Sequence, residues 1–137
     1  MGITLTARDI SRLASLHPDL RKVVLEAARI TTIPFQVAET KRSVAQQQQN
    51  IASGVSWTMN SRHIVASDGL VYAADLLPMV DGKVTWSWPV YYKFAPIMKQ
   101  AAANVKVPIE WGGDWKKNKD GPHWQLPWKT YSGKKVP

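Results

Sequence analysis

No cysteine occurs anywhere in the chain, which excludes a disulfide framework, a thiolate zinc site and a cysteine nucleophile. Any metal site has to be assembled from His, Asp and Glu. Long apolar runs are missing too. No stretch approaches the length of a membrane span, and the opening residues MGITLTARDISRL carry charges at Arg8, Asp9 and Arg12 without the continuous apolar run of a secretory signal, so no such signal is expected. Acidic residues are scarce: 10 Asp and Glu stand against 18 Lys and Arg, giving a formal net charge of +8. That excess predicts attraction to polyanions, whether nucleic acid, anionic lipid or an anionic cell wall, without choosing among them. No internal repeat or linker-like stretch divides the 137 residues, a length that suits one domain able to bury its own core.

What is present reads as helices first and strands later. Thr6 with Asp9 three positions on is a helix start of capping-box type, Asp9 being a shorter relative of the usual Glu, and the helix is expected to reach about Leu16. Pro18 at a first helical position opens a second helix whose apolar face is Leu20, Val23, Val24, Ala27 and Ala28. His17, just before it, reads as a capping or boundary residue. PFQVAE alternates as a strand, SVAQQQQNIAS suits a polar helix with Val44, Gln47 and Ile51 on one side, and LVYAADLL (70–77) is an apolar run of strand length after the turn Asp68-Gly69. Asp81-Gly82-Lys83 is a further turn. A long helix is expected from near Pro89, with Val90, Phe94, Ile97, Ala101 and Val105 on or near one face and a kink at Pro96. VPIEW and HWQL are short strands around a glycine-rich turn, and a tail from about 130 to 137 is expected to be mobile. This order predicts an α+β fold with a small antiparallel sheet.

The chemistry concentrates in few residues. A catalytic zinc commonly takes three protein ligands and leaves a fourth position to water. His63, Asp75 and His123 are candidates for those ligands, and Asp120, three positions before His123, is placed across a turn where a general base for the water could stand. Taken singly, each histidine is more often a surface or hydrogen-bonded residue than a ligand.

Ordered motifs carry more weight than spacing. SRH (61–63), then AAD (73–75) followed by Leu76, then EWGGDW (110–115) and DGPHWQL (120–126) resemble the motifs of the zinc peptidases that include D-alanyl-D-alanine carboxypeptidases and the L-alanyl-D-glutamate peptidases used as phage endolysins. The resemblance is closest to single-domain phage endolysins and spans roughly residues 35 to 128. It implies a hedgehog/D-Ala-D-Ala-peptidase-like arrangement of helices flanking a small antiparallel sheet, and one catalytic domain over residues 1–137 without a separate wall-binding domain. It further implies that His63, Asp75 and His123 hold Zn2+ and that Asp120 is the catalytic base. ETKRS (39–43) is similar to the family segment whose arginine polarises the substrate carbonyl or binds its carboxylate, which makes Arg42 the candidate. Gln47, Ser61 and Asp114 are candidates for substrate contact, and Asp114 also for orienting a zinc-bound histidine. The expected substrate is the peptide stem of bacterial peptidoglycan, cut between L-Ala and D-Glu. A monomer is expected that accumulates in the host cytoplasm until a holin-type pore releases it to the wall.

The chain also departs from the family pattern. IVASDGLVYA lengthens the loop between His63 and Asp75, Tyr72 stands where another histidine is often found, and Gln46 and Gln47 stand where a second arginine before glutamine is common. Gly112 and Gly113 are expected to allow a tight turn or a close approach of a substrate strand. Trp111, Trp115 and Trp124 are read as core ahead of ligand contacts. Three alternatives stay open: a D-alanyl-D-alanine carboxypeptidase of the same family, a non-enzymatic nucleic-acid binder using Lys, Arg and Trp, and a zinc-free wall-binding relic.

Overall fold

The computed structural model describes residues 2–38, 69–117, 119–127 and 129–131. The helix expected over 43–53 lies outside the described residues. Among those described, three helices and a small antiparallel sheet form an α+β fold.

Helix α1 (Ala7–Leu13) starts at the anticipated capping box: Thr6 Oγ1 accepts from Asp9 N–H, and the Asp9 carboxylate accepts from Thr6 N–H, each at 3.1 Å. It ends short of Leu16, because Leu16 is drawn into a parallel bridge with Val71. Asp9 is buried, and its second oxygen accepts from Val37 N–H at 3.0 Å. The cap therefore also fixes the strand that follows. Helix α2 (Pro18–Ile30) buries all five residues of the expected face, and His17 caps it, its Nδ1 accepting from Asp19 N–H at 3.0 Å.

The sheet order is β1-β2-β5-β4, with β1 at Phe35–Val37, β2 at Ala73–Val80, β5 at His123–Gln125 and β4 at Glu110–Trp111. Strand β3 (Lys83–Val84) pairs with the end of β2 through the two-residue turn Asp81-Gly82, where φ is 53° and 77°. Two successive left-handed residues give the twist a tight hairpin needs, which Asp-Gly adopts at low cost. Strand β2 sits three residues later than the expected 70–77 and runs through Pro78. Pro78 has no N–H to give to Thr85, whose own N–H bonds the Pro78 carbonyl; the Thr85 carbonyl accepts from the Tyr91 hydroxyl at 3.1 Å instead. The break in the ladder is thus compensated by a side chain.

Helix α3 (Trp88–Val105) packs against α2 and contains Pro96. Its buried face is Tyr91, Phe94, Ala95, Met98, Ala101 and Ala102. Of the expected face, Phe94 and Ala101 are buried, whereas Val90, Ile97 and Val105 are only partly so. The helix is rotated about its axis because the Tyr91 ring, larger than Val90, takes the inward position beneath the 120–123 turn. Leu16, Leu20, Val24, Leu76, Phe94, Met98 and Trp124 form the centre of the core. The Trp111 and Trp124 rings stack at 5.6 Å and 15° on the core side of the sheet. That buries both, as expected of core tryptophans, and occupies faces that base stacking would require. At the start of the segment expected to be a tail, the Tyr131 hydroxyl donates to Asp19 Oδ2 at 2.7 Å, and its ring meets His17 edge-on at 5.2 Å. No described helix is long and apolar enough to cross a membrane.

Candidate metal centre

Strand register assembles the site. In the β2/β5 ladder Asp75 is the Cα partner of His123, Ala74 of Trp124 and Ala73 of Gln125; in β4/β5 Trp111 pairs with Trp124 and Glu110 with Gln125. Side chains alternate between faces along a strand. One face therefore gathers Ala74, Trp111 and Trp124 into the core, and the other gathers Asp75, His123, Gln125 and Glu110. Directly opposed residues have Cβ atoms roughly 5 Å apart, so the Asp75 carboxylate and the His123 imidazole meet without any long side chain. Their atoms Oδ1 and Nδ1 are 3.5 Å apart.

Asp120 joins them from the turn before β5. Its N–H donates to Gly112 O at 3.1 Å, and its carbonyl accepts from His123 N–H at 3.3 Å. A Cβ on Gly112 would stand 2.4 Å from that carbonyl oxygen. Gly112 is therefore required for the close approach of the chain to the turn that carries Asp120, in keeping with the tight turn expected of it. Gly121 serves the same turn from below, since a Cβ there would lie 2.4 Å from the Tyr91 ring. The Trp111 indole N–H donates to Gly121 O at 2.7 Å and pins it from a third side.

One donor atom from each of Asp75, Asp120 and His123 can be chosen so that all lie within 4.8 Å of one another. One nitrogen and two carboxylates form a borderline to hard donor set that suits zinc, and a cation there would relieve the mutual repulsion of the two carboxylates. His123 is 5% exposed, with both carboxylates half-buried around it. Burial opposes its charged form, but the carboxylate of Asp75, with help from Gln125 and Asp120, holds its pKa above the ordinary histidine value. Burial first, and then the charges of Asp120 and Asp75, push the Tyr91 phenol up, so it stays neutral as the donor to Thr85. Trp115 covers the imidazole from outside, ring centre to ring centre 5.0 Å. It is a half-buried wall of the site more than a core residue.

Asp114 does not reach His123 as anticipated. It is exposed at the end of the short 3-10 turn Gly112–Asp114, and its Oδ2 accepts from Lys99 Nζ at 3.0 Å. Gln125 holds His123 instead, with Nε2 and Oε1 at 2.7 Å. Sequence reasoning missed Gln125, although a period-two reading of HWQ places it on the face of His123. It also missed Tyr91, whose role depends on the hairpin that folds over it. His63, Arg42, Gln47 and Ser61 lie outside the described residues.

The family model of the phage L-alanyl-D-glutamate peptidases matches residues 1–135. The L-alanyl-D-glutamate peptidase of Escherichia phage T5 is 30% identical over 126 residues, covering 89% of this chain and 88% of that protein. The corresponding enzyme of Listeria phage A118 is 32% identical over 123 residues, which are 90% of this chain but 41% of that longer protein. Among solved structures, the Serratia marcescens L-Ala D-Glu endopeptidase ChiX superposes with a TM-score of 0.83 at 39% identity, over 95% of this chain and 94% of ChiX. With a fold shared with a solved L-Ala D-Glu endopeptidase and a family match over nearly its whole length, the chain belongs to the phage L-alanyl-D-glutamate peptidases.

Proposed function

We propose that the protein is a zinc-dependent endopeptidase that cuts the L-Ala to D-Glu bond in the peptide stem of bacterial peptidoglycan, the activity named for its relatives. The observation that carries the reading is the convergence of Asp75, Asp120 and His123. In this proposal Asp75 and His123 hold the ion together with His63, contributed by the segment before β2. When bound, the zinc supplies Lewis acidity, lowering the pKa of water toward neutrality and polarising the scissile carbonyl.

The chain's own groups do the rest. Asp120, whose backbone is held by Gly112, accepts the proton of the attacking water and returns it to the leaving amine. Arg42 pairs with the charge that develops on the carbonyl oxygen or with the substrate carboxylate, a task suited to its planar fork of donors. No covalent intermediate is needed, in keeping with the lack of cysteine. Trp115, packed against the His123 ring, shields it from solvent and so keeps the local dielectric low.

The excess of 18 Lys and Arg over 10 Asp and Glu favours approach to an anionic wall. The biological setting we propose is a monomer that waits in the host cytoplasm and is released by a holin-type pore for lysis. The deciding experiment is digestion of purified peptidoglycan with and without a chelator, followed by zinc add-back and identification of the new amino terminus. A chelator-sensitive, zinc-restored release of D-Glu amines is expected. Release of D-Ala alone would make the protein a carboxypeptidase, and full activity under chelation would remove the metal from the reaction.

A further inference from the structure

Among the described residues, two neighbours of the His123 imidazole ask for opposite tautomers. The Asp75 carboxylate, 3.5 Å from Nδ1, favours a proton on Nδ1. A metal in the cluster needs that same nitrogen bare. Gln125 Oε1, 2.7 Å from Nε2, favours the proton on Nε2 and so leaves the Nδ1 lone pair facing Asp75 and Asp120. An amide, however, can present either end. Reversed, Gln125 would offer an N–H to Nε2 and drive the ring proton to Nδ1, which would block ligation.

Glu110 opposes the reversal. It is the cross-strand partner of Gln125 in β4/β5, and its Oε2 lies 3.4 Å from Gln125 Nε2. The contact is long, but its sign decides the matter: a carboxylate attracts the NH2 end of an amide and repels the carbonyl end. Gln125 is 5% exposed and faces the small Ala73 across the ladder on its other side. The amide thus stands in a confined position between an acceptor and an imidazole.

We propose that Gln125, oriented by Glu110, is a positioning residue that holds His123 as its Nε2–H tautomer and thereby keeps Nδ1 available to the metal. The proposal rests on the reading of the Asp75, Asp120 and His123 cluster as a metal site. Partners at this remove from a metal typically change its affinity by about 10- to 100-fold when altered.

The test uses the full chain and two readouts. The first is the ring 15N and 1H correlation pattern of His123 in metal-free protein, recorded at alkaline pH where the ring is neutral. The second is zinc affinity by competition with a chelating dye. The native protein should show a pyrrole-like Nε2 and a pyridine-like Nδ1. Gln125→Leu should move the ring toward the Nδ1–H form and weaken zinc binding by about 10- to 100-fold. Glu110→Gln, an exposed position that leaves the fold intact, should give a mixture of tautomers and a smaller loss. The exchange Glu110→Gln with Gln125→Glu restores an acceptor toward His123 and a donor beside it, and should recover the Nε2–H pattern and most of the affinity. Unchanged tautomer and affinity in both Gln125→Leu and Glu110→Gln would overturn the proposal, and so would failure of the exchange to recover either property. If Gln125→Leu does not fold, Glu110→Gln and the exchange decide the question. If the native protein shows the Nε2–H pattern but binds no zinc, the metal reading fails separately from the tautomer assignment.

Discussion

Asp75 on β2 and His123 on β5 are directly opposed in an antiparallel ladder, with Oδ1 and Nδ1 3.5 Å apart. Because the two strands also carry the Trp124 side of the core, the candidate metal site and the hydrophobic core share one register. A slip of one residue would turn every side chain of β5 to the other face and destroy both at once.

In the proposed mechanism, removal of Asp120 separates chemistry from binding. Asp120→Ala should keep the fold and bound zinc while turnover falls by about 100- to 10,000-fold, the usual contribution of general acid and base catalysis. Metal content and circular dichroism measured beside peptidoglycan hydrolysis check this. Activity equal to the parent would take Asp120 out of the mechanism.

Gly112 tests whether the position of that carboxylate matters. Gly112→Ala puts a Cβ 2.4 Å from the Asp120 carbonyl and 3.1 Å from His123 Cβ, so the turn has to shift. A cost of about 1–3 kcal/mol is expected for such overpacking, together with a loss of kcat larger than thermal melting would explain. Comparing Tm with kcat at a temperature where the variant is fully folded distinguishes the two.

Asp114 supplies the contrasting case. Its ion pair with Lys99 is exposed on both sides, at 56% and 54% of the side chains, and surface pairs of this kind contribute about 0–1 kcal/mol. Asp114→Ala should leave zinc affinity unchanged and stability nearly so. A tenfold loss of zinc affinity would return Asp114 to the metal site.

Stability should fall at both ends of the pH scale for identifiable reasons. Glu26 is held by hydrogen bonds from Arg29 and from Asn104 of α3, and its pKa drops from 4.5 to about 2. A lowered carboxylate pKa contributes stability that is present above pH 4.5 and lost as the pH falls toward 2. Burial and the Asp19 carboxylate raise the Tyr131 pKa from 10.0 to about 12, so its contribution is present below pH 10 and lost as the pH rises toward 12. Urea titrations across both ranges should show Glu26→Gln flattening the acid limb and Tyr131→Phe flattening the alkaline one. Unaltered limbs would deny these contacts a role.

Much of this architecture is local and therefore legible in the sequence. The capping box at Thr6 and Asp9, the proline start of α2, its apolar face and the Asp-Gly turn each depend on residues within a few positions of one another. Asp75, Asp120 and His123 were identifiable as candidate ligands and base because their motifs resemble those of a known family. The inward face of α3 was not legible, since hydrophobic periodicity ranks Val90 and Tyr91 alike until the 120–123 turn lies over the helix. Nor was the exchange of Asp114 for Gln125 beside His123.

By itself the sequence determined which kinds of chemistry were available: no thiol, two motif-borne histidines, paired acids and a basic surface. Only the tertiary structure decided which partners each side chain meets. Strand pairing joins residues far apart in the chain, and the neighbour of an imidazole is set by register and by the space a small Ala73 and Gly112 leave open, neither of which any short stretch of sequence encodes.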